Sequence, residues 1–190
     1  MSSLPLHRFR ISVSDVDRGF YDALDFRVAR HPSENDDFLL TRTLAYALNY
    51  ESGLEFSPGL CNPDDPAIWL KDSNGIALWI DIGNPSVRRL HRSSKAARRV
   101  RVYTYKDVEV LKREAAGEKI HRAGDIEIFA VPGPFLSELS ERLERDNEWS
   151  LVHSDGELVL AVGGGRSAGS GTGDDPGETL MATLGRHSLG

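Results

Sequence analysis

Apolar and polar residues alternate from Phe9 to Val13, which predicts a half-buried strand. Asp15–Gly19 reads as a turn, and Tyr21–Ala29 as a second strand that completes an N-terminal hairpin. After His31 and Pro32 the period changes. Leu40, Leu44, Ala47 and Leu48 recur at helical spacing and form one apolar face, on a helix that ends near Tyr50, before Gly53. Ser33, followed three residues later by Asp36, resembles a capping box with the shorter acid and sets the start of that helix.

Residues 56–65 (FSPGLCNPDD) are rich in turn formers and read as a loop. Ile68, Trp69 and Leu70 open a strand that turns through Asp72-Ser73-Asn74-Gly75 into Ile76–Ile82. That second segment is nearly all apolar, as a strand buried on both faces requires. A helix is expected from Ser86 to Arg99, with Pro85 near its start. Downstream, the pattern predicts a strand over 101–105, a short helix over 108–116 and a strand over 126–131. A helix led by Pro134 follows, with Leu136, Leu139 and Leu143 on one side, and then a hairpin of 149–152 with 158–162 through Asp155-Gly156. The expected class is α/β: a compact mixed sheet with flanking helices.

From Gly163 the pattern stops. GGGRSAGSGTGDDPG buries little, so residues 1–162 are expected to form the domain and 163–190 a disordered, Gly/Ser-rich tail. The weakly apolar LMATL near its end is left unassigned.

Composition narrows the function classes. At 190 residues the chain can bury a real core as one domain. The net charge of −6 gives no global attraction to nucleic acid, so any such contact must be local. The single cysteine, Cys61, excludes an internal disulfide and a cysteine zinc site, and fits a reducing compartment. There is no apolar run of membrane-spanning length and no hydrophobic signal core at the start, so the expected location is the cytoplasm.

The candidate chemistry centres on residues 76–99 (IALWIDIGNPSVRRLHRSSKAARR), where a buried strand ends in Asp81 beside an arginine-rich helix. Arg88, Arg92, Lys95 and Arg99 fall on one helical face, suited to phosphate contacts or to plain solvation. An acid at a strand end beside such a helix can hold a metal ion against a phosphate. Glu34, Asp65 and Asp81 are the candidate acids. Each also has an ordinary role: a helix-dipole partner for Glu34, a turn acid beside Pro66 for Asp65, and an ion pair with the downstream arginines for Asp81. No serine or cysteine nucleophile motif and no histidine metal spacing is present.

Several segments in order resemble the bacterial YaeQ family: ARHPSENDD at 29–37, FSPGL at 56–60, DDPAIW at 64–69, LWIDIGNP at 78–85 and VYTY at 102–105. The resemblance covers about residues 1–162 and implies a variant of the PD-(D/E)xK nuclease core. It implies Glu34 as the helix acid and Asp65 and Asp81 as the hairpin acids, the latter two binding Mg²⁺ or Mn²⁺. It further implies Arg92 or Lys95 as catalytic cations, and the phosphate is expected on Arg88, Arg92 and Arg99. The nuclease lysine is missing, because Gly83 stands two residues after Asp81. Arginine stabilises charge but does not readily give up a proton. Three functions follow as expectations: a metal-dependent nuclease or phosphodiesterase, a non-catalytic nucleic-acid binder using the 88–99 helix, or a domain that binds a protein partner. No membrane partner is expected.

Overall fold

The computed structural model describes residues 5–57, 64–163 and 177–189. Two sheets enclose a central helix. The first has the order β10-β9-β8-β1-β2 and the second the order β11-β7-β6-β5-β4-β3. β1 (Leu6–Asp15) and β2 (Phe20–Ala29) form the expected N-terminal hairpin, and β1 also runs parallel to β8 (Asp146–Ser154). β8 returns antiparallel through Asp155-Gly156 into β9 (Glu157–Val162). In the second sheet β3 (Leu54–Phe56), β4 (Ile68–Asp72) and β5 (Gly75–Ile82) are antiparallel neighbours. β5, β6 (Ala97–Thr104) and β7 (Ile126–Ala130) run parallel, linked by α2 (Val87–Ala96) and α3 (Val108–Ala115).

α1 (Asp36–Asn49) lies between the sheets, beside α4 (Gly133–Ser140). Its residues 39–49 are all buried, so the face beyond Leu40, Leu44, Ala47 and Leu48 is covered as well. The main core joins α1 and α4 to Phe9, Ile11, Trp149 and Leu160 of one sheet and to Ile68, Leu78 and Ile80 of the other. On the far side of the second sheet, Trp79, Val100, Val102 and Ile128 pack on Leu90 of α2 and Leu111 of α3. β5 therefore contributes alternate residues to two cores, which accounts for its nearly continuous apolar sequence.

Three expectations are corrected. The cap of α1 is Asn35, not Ser33: Asn35 Oδ1 accepts the Phe38 N–H at 2.9 Å, while the Ser33 hydroxyl lies 2.6 Å from His31 Nδ1. Replacing Asn35 by Ala should therefore cost about 1 kcal/mol in a urea titration, and Ser33→Ala much less. The basic helix ends at Ala96, so Arg98 and Arg99 belong to β6. The segment after Gly163 is not a plain tail. β10 (Glu178–Thr183) extends the first sheet beside β9, and β11 (Gly185–Ser188) extends the second beside β7. Leu180, Ala182 and Leu184 are buried there, so the chain end straps both sheets to the core. Much of the Gly/Ser-rich run, residues 164–176, lies outside the described residues.

Candidate functional site: an arginine cleft at the start of the second helix

β5 delivers Asp81 to the carboxyl end of the parallel strands, where α2 begins, a usual position for sites in parallel sheets. Alternation along β5 places Asp81 with Trp79 on the α2 side, while Leu78 and Ile80 face α1. Asp81 is 2% exposed. Its Oδ1 accepts two hydrogen bonds from Arg89, from Nε at 3.0 Å and Nη2 at 2.7 Å. Oδ2 is sealed from solvent without a hydrogen-bond partner of ordinary geometry. Burial pushes the Asp81 carboxyl pKa up, and Arg89 pulls against that shift.

Arg89 does more than neutralise Asp81. Its Nη2 donates to the Asp65 carbonyl at 2.6 Å, and its guanidinium carbon lies 5.7 Å from the Trp79 ring centre. The side chain thus ties the entrance of β4 to the end of β5 and to α2. One turn further along α2, Arg92 pairs with the Asp64 carboxylate and donates Nη2 to the Asp64 carbonyl at 2.9 Å. The Arg92 hydrogen bond holds the Asp64 carboxyl below its usual pKa. Arg88 is exposed and makes no hydrogen bond or ion pair with the described residues.

Asp64, Trp79, Ser86, Arg88, Arg89 and Arg92 line one cleft of about 390 Å³. Ser86 caps α2, its Oγ accepting the Arg89 N–H at 3.3 Å. The first turn of α2 contains no acid, so the positive end of the helix dipole adds to the guanidinium charge. Lys95 lies about two turns from Arg88 along the same exposed helix and does not line this cleft. Arg99, on β6, pairs with Glu51 at 2.8 Å.

Glu34 stands in a different setting. It precedes α1, and its Oε2 accepts from the His31 N–H at 3.2 Å and from Arg42 Nη2 at 3.1 Å. Arg42 is 2% exposed and also donates to the Ala29 carbonyl at 2.7 Å. Burial raises the Glu34 pKa, with Arg42 as the main opposing influence. Glu34 lines its own cleft of about 330 Å³, with His31, Ser33, Asn35, Phe38 and Tyr105. The two clefts share no lining residue.

A hard divalent cation needs several oxygens at one point. Among the described residues, no group of three or more His, Cys, Asp or Glu side chains could hold a metal ion. Asp81 and Glu34 are each turned toward a guanidinium, which excludes a cation from the same oxygen. Among the described residues, the side chains as placed form no such cluster for Mg²⁺ or Mn²⁺. Gly83 adds a backbone reason for the missing lysine. Its φ of +85° lies in the left-handed region that favours glycine.

The family model described as YaeQ protein matches residues 3–168. The chain belongs to the YaeQ family. The YaeQ protein of Escherichia coli (strain K12) is 35% identical over 101 residues, covering 53% of this chain and 56% of that one. The chain thus spans little more than half the length of that relative. The YaeQ protein of Salmonella typhi is 27% identical over 158 residues, 82% of this chain and 87% of that one. The crystal structure of YaeQ from Xanthomonas axonopodis pv. citri superposes with a TM-score of 0.81 at 26% identity, covering 97% of this chain and 98% of that one. That of YaeQ from Pseudomonas syringae gives 0.79 at 26% identity, over 98% and 96%. The names of these YaeQ proteins assign no activity. Among the described residues, no helix is long and apolar enough to cross a membrane.

Sequence reasoning missed Arg89, Arg42, Asp64 and the cleft-forming Trp79 and Ser86. Arg42 carried a signal, as a cation among Leu39, Leu40 and Leu44 on a helix. Arg89 carried a weaker one. It is out of step with the stripe of Arg88, Arg92 and Lys95, and so points to a different surface.

Proposed function

We propose that this YaeQ-family protein binds nucleic-acid phosphates through the start of α2, without metal-dependent cleavage. The observation that carries the reading is the lining of one cleft by Arg88, Arg89 and Arg92 at an acid-free helix N-terminus. Arg88 and Arg92 are the exposed members and make the phosphate contacts, while Arg89 holds the cleft floor through Asp81. Lys95 extends the cationic face outward. The proposed catalytic trio of Glu34, Asp65 and Asp81 takes structural roles in this reading. Glu34 neutralises the buried Arg42, Asp81 neutralises the partly exposed Arg89, and the Asp65 backbone anchors Arg89.

The test is fluorescence anisotropy with labelled single- and double-stranded oligonucleotides over a salt series. About two phosphate contacts give a slope near −1.8 in log affinity against log salt on duplex DNA, hence about a 12-fold loss between roughly 50 and 200 mM. A flat salt response would overturn the reading. Asp64 provides a second check, because its carboxylate competes with phosphate for Arg92. Asp64→Ala should tighten binding roughly threefold at low salt and leave the melting temperature nearly unchanged, as befits an exposed pair. Weaker binding in that variant would assign Asp64 to the ligand side of the site.

A further inference from the structure

The chain has three tryptophans, and two of them are core residues: Trp79 and Trp149 are each 3% exposed. Among the described residues, Trp69 joins neither hydrophobic core. Its neighbours in β4, Ile68 and Leu70, pack on the α1 core, so alternation turns Trp69 to the opposite face of the second sheet, the face that carries α2. There the indole lies partly exposed, and polar groups fix it. Glu55 of β3 accepts the ring N–H at 2.8 Å, and Lys71 Nζ sits 3.1 Å from the ring centre. A tryptophan outside the core forfeits apolar burial. One held in a set orientation at a wet surface is suited to recognition.

Trp69 also adjoins the arginine cleft. The register sets it opposite Trp79, which lines that cleft, and side chains so paired have Cβ atoms about 5 Å apart. The cations of α2 and β6 tie down both ends of β4: Arg92 pairs with Asp64 before the strand, and Arg98 pairs with Asp72 at its end. Trp69 lies between these ties. α2 starts at the carboxyl end of β5, and Ala97, just after α2, pairs with Ile76 near the start of β5. The helix thus runs back down the sheet, and its middle, with Arg92, comes level with Trp79 and Trp69.

We propose, resting on the phosphate reading of the cleft, that its ligand is single-stranded nucleic acid and that Trp69 stacks a base beside the phosphate held by Arg88 and Arg92. Along a strand each base hangs one sugar away from its phosphate, which matches an indole and a guanidinium on adjacent elements. In a duplex the bases are paired and stacked on one another, so a ring on a sheet face meets only their backbone. An unpaired base offers its flat face to the indole. Lys71 covers one face of Trp69, and the base takes the other. Glu55 and Lys71 offset each other's charge, so the platform adds no net repulsion of a polyanion. Stacking of this kind tolerates every base, which suits a site whose charged groups meet phosphate.

Anisotropy at low salt with three labelled ligands of equal length tests the assignment: a deoxythymidine single strand, an abasic single strand and a duplex. Wild type should bind the base-bearing single strand at least about fivefold tighter than either other ligand. Trp69→Ala should lose about tenfold on that strand and less than about twofold on the abasic strand and the duplex, with circular dichroism unchanged. Trp69→Phe should fall between, because a smaller ring remains. The deoxythymidine strand should also quench tryptophan fluorescence in wild type and not in Trp69→Phe. Wild-type binding of the abasic strand or the duplex as tight as that of the base-bearing strand would overturn the proposal and leave the phosphate reading standing. So would a Trp69→Ala loss of equal size on all three ligands, which marks a structural role. A flat salt response with every ligand would remove the phosphate reading and the stacking site with it.

Discussion

Arg89→Ala is expected to lower folding stability by about 3 kcal/mol at neutral pH, the scale of breaking a buried ion pair from one side. The substitution leaves the Asp81 carboxylate 2% exposed with neither of its Arg89 hydrogen bonds, and releases the Asp65 carbonyl as well. The cost depends on pH in a defined direction. The Asp81 pKa is already raised in the folded protein by burial, against the pull of Arg89. A raised carboxyl contributes stability that is fully present below its unfolded pKa and is lost as pH rises through the folded value. Without Arg89 the folded pKa climbs further, so the penalty is largest at neutral pH and shrinks on acidification, as Asp81 takes up a proton. Urea titrations at several pH values would show this convergence of variant and wild type. Adding Asp81→Asn to Arg89→Ala should recover much of the loss at neutral pH, because the uncompensated charge is then gone. A penalty under about 1 kcal/mol at neutral pH would mean that the pair is not structural.

Charge reversal at Arg88 and Arg92 together should reduce nucleic-acid affinity about a hundredfold at low salt and reduce the magnitude of the salt slope by about 2. The two side chains are exposed at the cleft mouth, so their loss should leave folding intact. Reversal at Lys95 should have a smaller effect, because it lies outside the cleft, and reversal at Arg99 smaller still, because Glu51 already pairs with it on β6. The order Arg88 and Arg92, then Lys95, then Arg99 separates a site at the helix start from a uniform basic stripe. Equal effects at all four positions would favour the stripe.

Much of the architecture was legible because the governing patterns are local. The N-terminal hairpin, the 72–75 turn and the doubly buried β5 follow from alternation and turn chemistry. Two features were hidden by tertiary context. α1 carries the polar Thr41, Arg42 and Thr43 outside the apolar face of Leu40, Leu44, Ala47 and Leu48, yet the helix is enclosed between two sheets and all three are buried. β10 and β11 follow a Gly/Ser-rich run that gives no hint of strand, and their pairing is set by open edges at β9 and β7. The extra turn expected at the end of α2 has a similar origin. Ala97, Arg98 and Arg99 are good helix formers, but pairing with β5 draws them into β6.

The candidate acids and a downstream arginine as partner of Asp81 were legible in sequence, but not which arginine, nor Arg42 as the partner of Glu34. Spacing along the chain does not reveal that Asp81 faces Arg89 or that Glu34 faces Arg42, since both contacts depend on which side of a helix meets the sheet. The ion-pair reading of Asp81 with a downstream arginine describes the geometry found. For Asp65, the contact that organises the cleft is through its backbone carbonyl, which no residue-type pattern can announce.

Under the proposed function the arginine cleft binds nucleic-acid phosphates and does not cut. One experiment addresses it most directly: anisotropy of a labelled oligonucleotide, with the same samples run on a denaturing gel, in excess chelator and in Mg²⁺. The expected result is salt-sensitive binding equal in both conditions, an intact oligonucleotide, and loss of binding in the Arg88→Glu, Arg92→Glu protein. Cleavage that requires Mg²⁺ and disappears in Asp81→Ala would contradict it, as would binding that survives the double reversal.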